Sequence, residues 1–222
     1  MSDLATELLA LQAELQTLIP KALENLAREG RITAADPLDA VGVSYVTAGN
    51  GSVFHYLAVR TLERRKVLDQ YAEEEPEMLW NMAEYEINHD LTELVKPSTD
   101  YERLCERLTE LTVDVLDARD SEDEDFSEFD QLEKAVREVA HWLTRNWRSD
   151  SVPTVEHPFF FALNWYQDDA EDGVARSVHR ADLELAKVPV PEVRCRECED
   201  EFEAPLHTPG DTFHCPSCGE VA

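Results

Sequence analysis

The stretch LDAVGVSYVTAGNGSVFHYLAVRTLERRKVLDQY, residues 38–71, decides between two folds. Its first part alternates Val41, Val43 and Tyr45, which suits a short strand, and Gly49-Asn50-Gly51 then supplies turn chemistry. A hairpin through those glycines needs Val53 to Val59 as its second strand. The competing reading starts a helix at Ser52 as its cap, placing Phe54, Leu57, Ala58, Thr61, Leu62, Arg65, Leu68 and Tyr71 on one stripe. The helical reading of that run is the stronger, and the glycines are then a turn ahead of it. No G-x-x-x-x-G-K or G-x-G-x-x-G motif accompanies them, so they form no phosphate-binding loop.

Helical patterns flank this stretch on both sides. Leu4, Leu8, Leu11, Leu15 and Leu18 form a leucine seam within Asp3 to Glu29, interrupted by Pro20 and ended by Gly30, so one kinked helix or two short ones are expected. The seam serves either an intramolecular bundle or a helix of another subunit. Glu77 to Val95 reads as a third helix between Pro76 and Pro97. A fourth starts at Ser98 or Thr99 and carries Tyr101, Leu104, Cys105, Leu108, Leu111, Thr112 and Val115 on one stripe, where Cys105 reads as a structural thiol. The acidic run Asp120 to Asp130 precedes a helix to Arg148 with Leu132, Val136, Val139 and Leu143 inward. After Pro153 the rings of Phe159, Phe160, Phe161, Trp165 and Tyr166 are expected to complete the core or to anchor a partner. A last helix over Glu171 to Lys187 ends at Val188-Pro189-Val190-Pro191. The expected architecture is therefore mainly α: an acidic helical, bundle-like body over residues 1–188, a Pro-rich linker at 189–192, and a small β module at 193–222.

The chain carries 48 acidic and 20 basic residues, a formal charge of −28, and only five of the basic residues are lysines. Such an acidic, lysine-poor composition resembles that of haloarchaeal proteins, which implies a halophilic setting. At about 1 M salt the Debye length is roughly 3 Å, so self-repulsion is screened. With 43% hydrophobic residues spread along its length, the chain has the composition of a packed protein. There is no basic start, no twin arginine before an apolar stretch, and no apolar run long enough to cross a membrane as a helix. A cytoplasmic, reduced location is expected, or a virion if the protein is viral.

The strongest chemical motif is C-terminal. Cys195 and Cys198 form one C-x2-C pair, Cys215 and Cys218 a second, and 16 residues separate them. Two such turns bring four thiolates into a tetrahedron around Zn2+. Cys215-Pro216-Ser217-Cys218-Gly219 resembles the C-P-x-C-G knuckle of zinc-ribbon and rubredoxin-like domains, and the first knuckle departs from it by having Glu199 where glycine is usual. The resemblance covers about Val193 to Ala222 and implies a structural zinc bound by Cys195, Cys198, Cys215 and Cys218, with Glu201–Ala204 and Thr212–His214 as strands. Glu86-x-x-His89 and Glu138-x-x-His141 share the spacing of di-iron helical bundles, but on helices each histidine falls away from its apolar stripe. His55, His157 and His179 have no partner at motif spacing.

Zinc ribbons often touch nucleic acid, yet from Glu192 onward eight acids face only Arg194 and Arg196. Charge therefore disfavours a nucleic-acid partner. The reading that follows is a non-catalytic, structural protein-interaction or assembly protein of a haloarchaeon or one of its viruses, with protein partners or self-association through the seam or the aromatic segment. The ribbon is its docking module. A nucleic-acid-binding or transcription-associated regulator using Arg60, Arg64, Arg65 and Lys66 is the alternative, and an enzyme whose site is assembled only in three dimensions is another.

Overall fold

The computed structural model describes residues 4–47, 53–71, 79, 81–117, 127–164, 192–194, 198, 201–203 and 217–218. The body is built on a four-stranded mixed sheet and is α/β, which overturns the mainly α expectation. Strands β1 (Leu38–Thr47) and β2 (Val53–Thr61) pair antiparallel, with Val41 opposite Val59 and Tyr45 opposite His55. β3 (Ile87–Asp90) adds antiparallel to β2, and β4 (Thr154–Asn164) adds parallel to β1, giving the order β3-β2-β1-β4.

The helix expected from Ser52 is thus a strand, and helix α2 begins only at Leu62, running to Leu68. The reason is two-sided burial. Val53, Leu57 and Val59 face one core, while Ala58 and Arg60 are buried on the other side. A strand covered on both faces loses its polar alternation, so a helical stripe can be traced through it by accident. Its β-branched and aromatic residues suit the paired, extended backbone.

The third helix is corrected as well. Residues Met82–Glu84 form a 3-10 turn, Ile87–Asp90 is β3, and among the described residues of the run only Leu91–Leu94 is α-helical, here α3. Two short polar side chains divide the run. Asn81 Oδ1 accepts the Ala83 N–H at 3.0 Å, and Asp90 Oδ1 accepts that of Thr92 at 2.7 Å. Each competes with a continuous helix by capping a new start.

The other long helices lie where periodicity puts them. Helix α1 (Leu4–Arg28) is one helix with Pro20 inside, closed by Gly30 at φ 77°. Its seam residues Leu8, Leu11, Leu15 and Leu18 are buried in the chain's own core, so the seam is intramolecular. Helix α4 (Thr99–Asp117) is capped by Ser98 Oγ, which accepts the Tyr101 N–H at 3.0 Å. Helix α5 (Ser127–Asn146) buries Leu132, Val136, Val139 and Leu143. These three helices cover the sheet face that presents Val41, Val43, Leu57 and Phe160. The opposite face carries Ala40, Ala58, Phe159, Phe161 and Leu163, covered by Leu68, Leu79, Met82 and Tyr85. Phe159, Phe160 and Phe161 therefore complete the core from both sides of β4, as expected of the rings but in a strand. The turn at 49–51, the rings of Trp165 and Tyr166, and the expected helix 171–187 lie outside the described residues.

One irregularity sets the register. Between Leu38 and Ala40 the pairing shifts against both neighbours of β1: against β2 Asp39 is an extra residue of β1, and against β4 the extra residues are those of β4 between Thr154 and Phe159. Leu38 then joins the helix-side core and Ala40 the opposite one, although two residues apart in an unbroken strand would share a face.

Gly42 marks the tightest approach on the sheet. A Cβ there would stand 2.7 Å from Met82 Sδ and 2.9 Å from Phe161 Cζ. Gly42→Ala should destabilise the protein by about 1–3 kcal/mol through overpacking. In denaturant melts the cost should shrink when Met82→Ala is the background, because the thioether that the new methyl meets is gone; an equal cost in both backgrounds refutes the contact.

Candidate metal centre

At the C-terminus β5 (Glu192–Arg194) and β6 (Glu201–Glu203) pair antiparallel, with Val193 opposite Phe202. Cys195 follows β5 directly and Cys198 lies in the same connection, so the first C-x2-C pair spans the link between two paired strands. That position suits a knuckle, because the ladder holds both ends of the loop that carries the two sulfurs. The strand 201–203 has 192–194 as its described partner, and β5 starts at Glu192, the last residue of the expected linker. Cys198 is half-buried and Cys218 exposed, while Cys195, Cys215, the other linker residues and residues 212–214 lie outside the described residues. Four thiolates in two matched pairs are the donor set that zinc favours, and these four cysteines are the residues that would hold it.

The basic cluster on β2 and α2 is internally paired. Arg60 and Asp39 are both fully buried, and Arg60 Nη2 lies 2.7 Å from Asp39 Oδ2. Arg65 Nη1 reaches the other carboxylate oxygen at 2.8 Å. Arg60 also donates to the Leu79 carbonyl, which accepts the Tyr85 hydroxyl at 2.9 Å, and its guanidinium lies 5.2 Å from the Tyr85 ring centre. Burial raises the Tyr85 pKa, so its hydroxyl remains a donor. Arg64 pairs with Glu84 and Lys66 with Glu63. All four cations named as a phosphate-binding patch thus have carboxylate partners.

A second buried polar group joins β2 to α4. His55 is fully buried, and its Nδ1 lies 2.8 Å from the Tyr101 hydroxyl. Its Nε2 has no hydrogen-bond partner among the described residues. Burial holds the His55 pKa down at about 4, with Asp90 pulling the other way, so the ring is neutral at neutral pH. One turn along α4, burial pushes the Cys105 thiol up to about 11, against a hydrogen bond with Tyr101 that lowers it. A protonated, half-buried thiol is a poor nucleophile, in keeping with a structural Cys105.

The Glu-x-x-His pairs do not share a helix type or a place. Glu86 and His89 lie at β3, where Glu86 accepts the Thr61 N–H and His89 meets Glu93 and Arg31. Glu138 and His141 lie on α5, and Glu138 accepts from Gln12. Among the described residues no group of three or more His, Cys, Asp or Glu is arranged to hold a metal, and no helix is long and apolar enough to cross a membrane. Sequence reading missed the Asp39–Arg60 pair. Its signal was an acid within Leu38-Asp39-Ala40-Val41 and a base within Val59-Arg60-Thr61, each out of place in an apolar strand. No family model, no curated protein and no solved structure matches the chain.

Two outcomes test these clusters. Asp39→Ala leaves Arg60 buried without its carboxylate and should cost about 3–5 kcal/mol, whereas Asp39→Ala with Arg60→Met should recover part of that loss in denaturant melts. Additive losses would refute the pairing energy. For His55, the unfolded chain binds a proton near 6.5 and the folded chain only near 4. Its contribution is therefore complete above pH 6.5 and is lost as pH falls towards 4, reaching about 3 kcal/mol. His55→Gln should flatten the stability slope between about pH 6.5 and 5, above the range of ordinary carboxylates; the same slope in both proteins excludes the assignment.

Proposed function

We propose that the chain is a non-catalytic interaction or assembly protein of a haloarchaeon or one of its viruses, whose C-terminal module binds structural zinc through Cys195, Cys198, Cys215 and Cys218. The observation that carries this reading is the antiparallel pair β5–β6, which frames the first C-x2-C link with Val193 opposite Phe202. Hairpin and knuckle together make a module that metal ligation can fix without a large core. Eight acids surround it against two arginines, so the surface that zinc would order suits a protein rather than phosphates. The pairing of Arg60, Arg64, Arg65 and Lys66 with Asp39, Glu84 and Glu63 removes the cations on which a nucleic-acid regulator would depend.

The metal is tested on the intact chain in molar potassium chloride. Purified protein should contain one zinc per chain, and Cys215→Ser should lose it together with amide protection of Val193 and Phe202. The body should keep its melting transition. A tail that stays protected after chelation overturns the zinc reading.

A further inference from the structure

The buried histidine of β2 sits where a helix packs against the strand. The ladder between β2 and β3 stops at Tyr56 opposite Asp90, so His55 lies one residue beyond it. Helix α4 packs there, its Tyr101 ring centre 5.9 Å from that of the imidazole. Two side chains of α4 reach β2: the Tyr101 hydroxyl lies 2.8 Å from His55 Nδ1, and Thr109 Oγ1 accepts the Val53 N–H at 2.7 Å. Two further polar contacts of α4, Arg107 with Glu7 and Ser98 with Glu14, run to α1 and hold no strand. β2 itself is paired with β1 from Val53 to Thr61. A backbone ladder thus keeps His55 in the sheet, while α4 reaches it through side chains.

The groups that face the ring are Tyr45 of β1, opposite His55 in register, Tyr101 of α4 with the Cys105 thiol bonded to its hydroxyl, and Asp90 of β3. The connection from Ala48 to Ser52 brings no titratable side chain. Asp90 favours a charged ring, and burial outweighs it. An imidazolium carries an N–H on both nitrogens. The Tyr101 oxygen can accept the one at Nδ1, but Nε2 is buried and has no partner among the described residues. A proton taken up at His55 therefore brings an N–H without an acceptor and a charge without solvent, and the contact that yields is the one made by side chains. We propose that α4 is a pH-sensitive cover: protonation of His55 lifts α4 from β2 while β1 and β2 stay paired. The surface uncovered is apolar, with Tyr101 and Leu108 on the helix and Val53 and Leu57 on the strand.

Residue-resolved amide exchange on the full chain in molar potassium chloride tests the cover. At pH 7.5 the Leu104 and Leu108 amides should exchange through a smaller opening than those of Val43 and Val59, one that low denaturant does not enlarge. The open form binds its proton near 6.5 and the closed form near 4, so opening is favoured as pH falls. Between pH 7.5 and 5, protection of the two α4 amides should fall about 30-fold, roughly tenfold for each pH unit below 6.5. His55→Gln should remove that dependence. Because a glutamine buried at this place can weaken the fold, the unaltered protein is also followed by NMR, where the His55 ring should titrate near 4. Equal protection of α4 and the sheet at every pH overturns the cover, since only unfolding of the whole body then exposes His55. A pH dependence that survives His55→Gln, or a ring that titrates near 6.5, overturns it as well.

Discussion

The body depends on how one extra residue is held in β1. Asp39 is an extra residue of β1 against β2, and the interruption moves Leu38 into one core and Ala40 into the other. A bulge can relax by slipping the strand one position, which would turn Val41, Val43 and Tyr45 to the wrong face. The carboxylate prevents that slip because it is fixed from two sides, by Arg60 of β2 and Arg65 of α2. Coulomb attraction alone does not make such a pair net stabilising, since desolvating both ions opposes it. Its clearer consequence is specificity: only one register meets the buried charge with its partner. Arg60 extends the constraint outward, through the Leu79 carbonyl and the Tyr85 ring, to the layer that covers the second sheet face.

That layer explains why strands were hard to see in the sequence while helices were not. Helices α1, α4 and α5 each bury one stripe and expose the other, so residues such as Leu11, Leu15, Val136 and Leu143 recur at helical spacing and mark them. β2 and β4 are covered on both faces. The sequence of β4 is a continuous apolar run through Phe159, Phe160 and Phe161, legible as core but silent about the element that carries it. β2 differs, because Leu57, Ala58 and Thr61, drawn from both of its buried faces, fall at helical spacing. In the segment after Pro76 the decisive information was two local caps, Asn81 and Asp90, which override a loose periodic pattern. The two C-x2-C pairs can be read from the sequence because such spacing is local and does not depend on the rest of the fold. The Asp39–Arg60 cluster was not legible, because its members meet only once β1 and β2 are paired.

Charge organises the surface as burial organises the interior. With 20 basic residues against 48 acids, each cation has many acids available to it. Arg60, Arg64 and Arg65 tie β2 and α2 to β1 and to the turn at Glu84, and Arg107 links α4 to Glu7 of α1. The more exposed of these pairs, such as Arg64 with Glu84, contribute little each in dilute buffer, on the order of 0–1 kcal/mol. Their greater effect here is to lower the density of unpaired carboxylates where elements meet, so that packing does not also bring like charges together.

The body and the C-terminal module solve the same problem by different means. A sheet covered on both sides can exclude water from a large apolar surface, which outweighs self-repulsion once salt screens it. A module of about thirty residues cannot, because too little of its surface is buried on folding. Val193 and Phe202 oppose each other on a ladder of only three residues per strand, and the same stretch carries Glu192, Glu201 and Glu203. In the register Glu192 lies opposite Glu203 and Arg194 opposite Glu201. Neither the core nor the charges of that hairpin select its fold strongly. The proposed thiolate ligation would supply the missing constraint, since it is local and is not weakened by adding salt in the way surface ion pairs are. A metal clamp, as proposed for the four cysteines, would thus be the form of stabilisation best matched to a small acidic module.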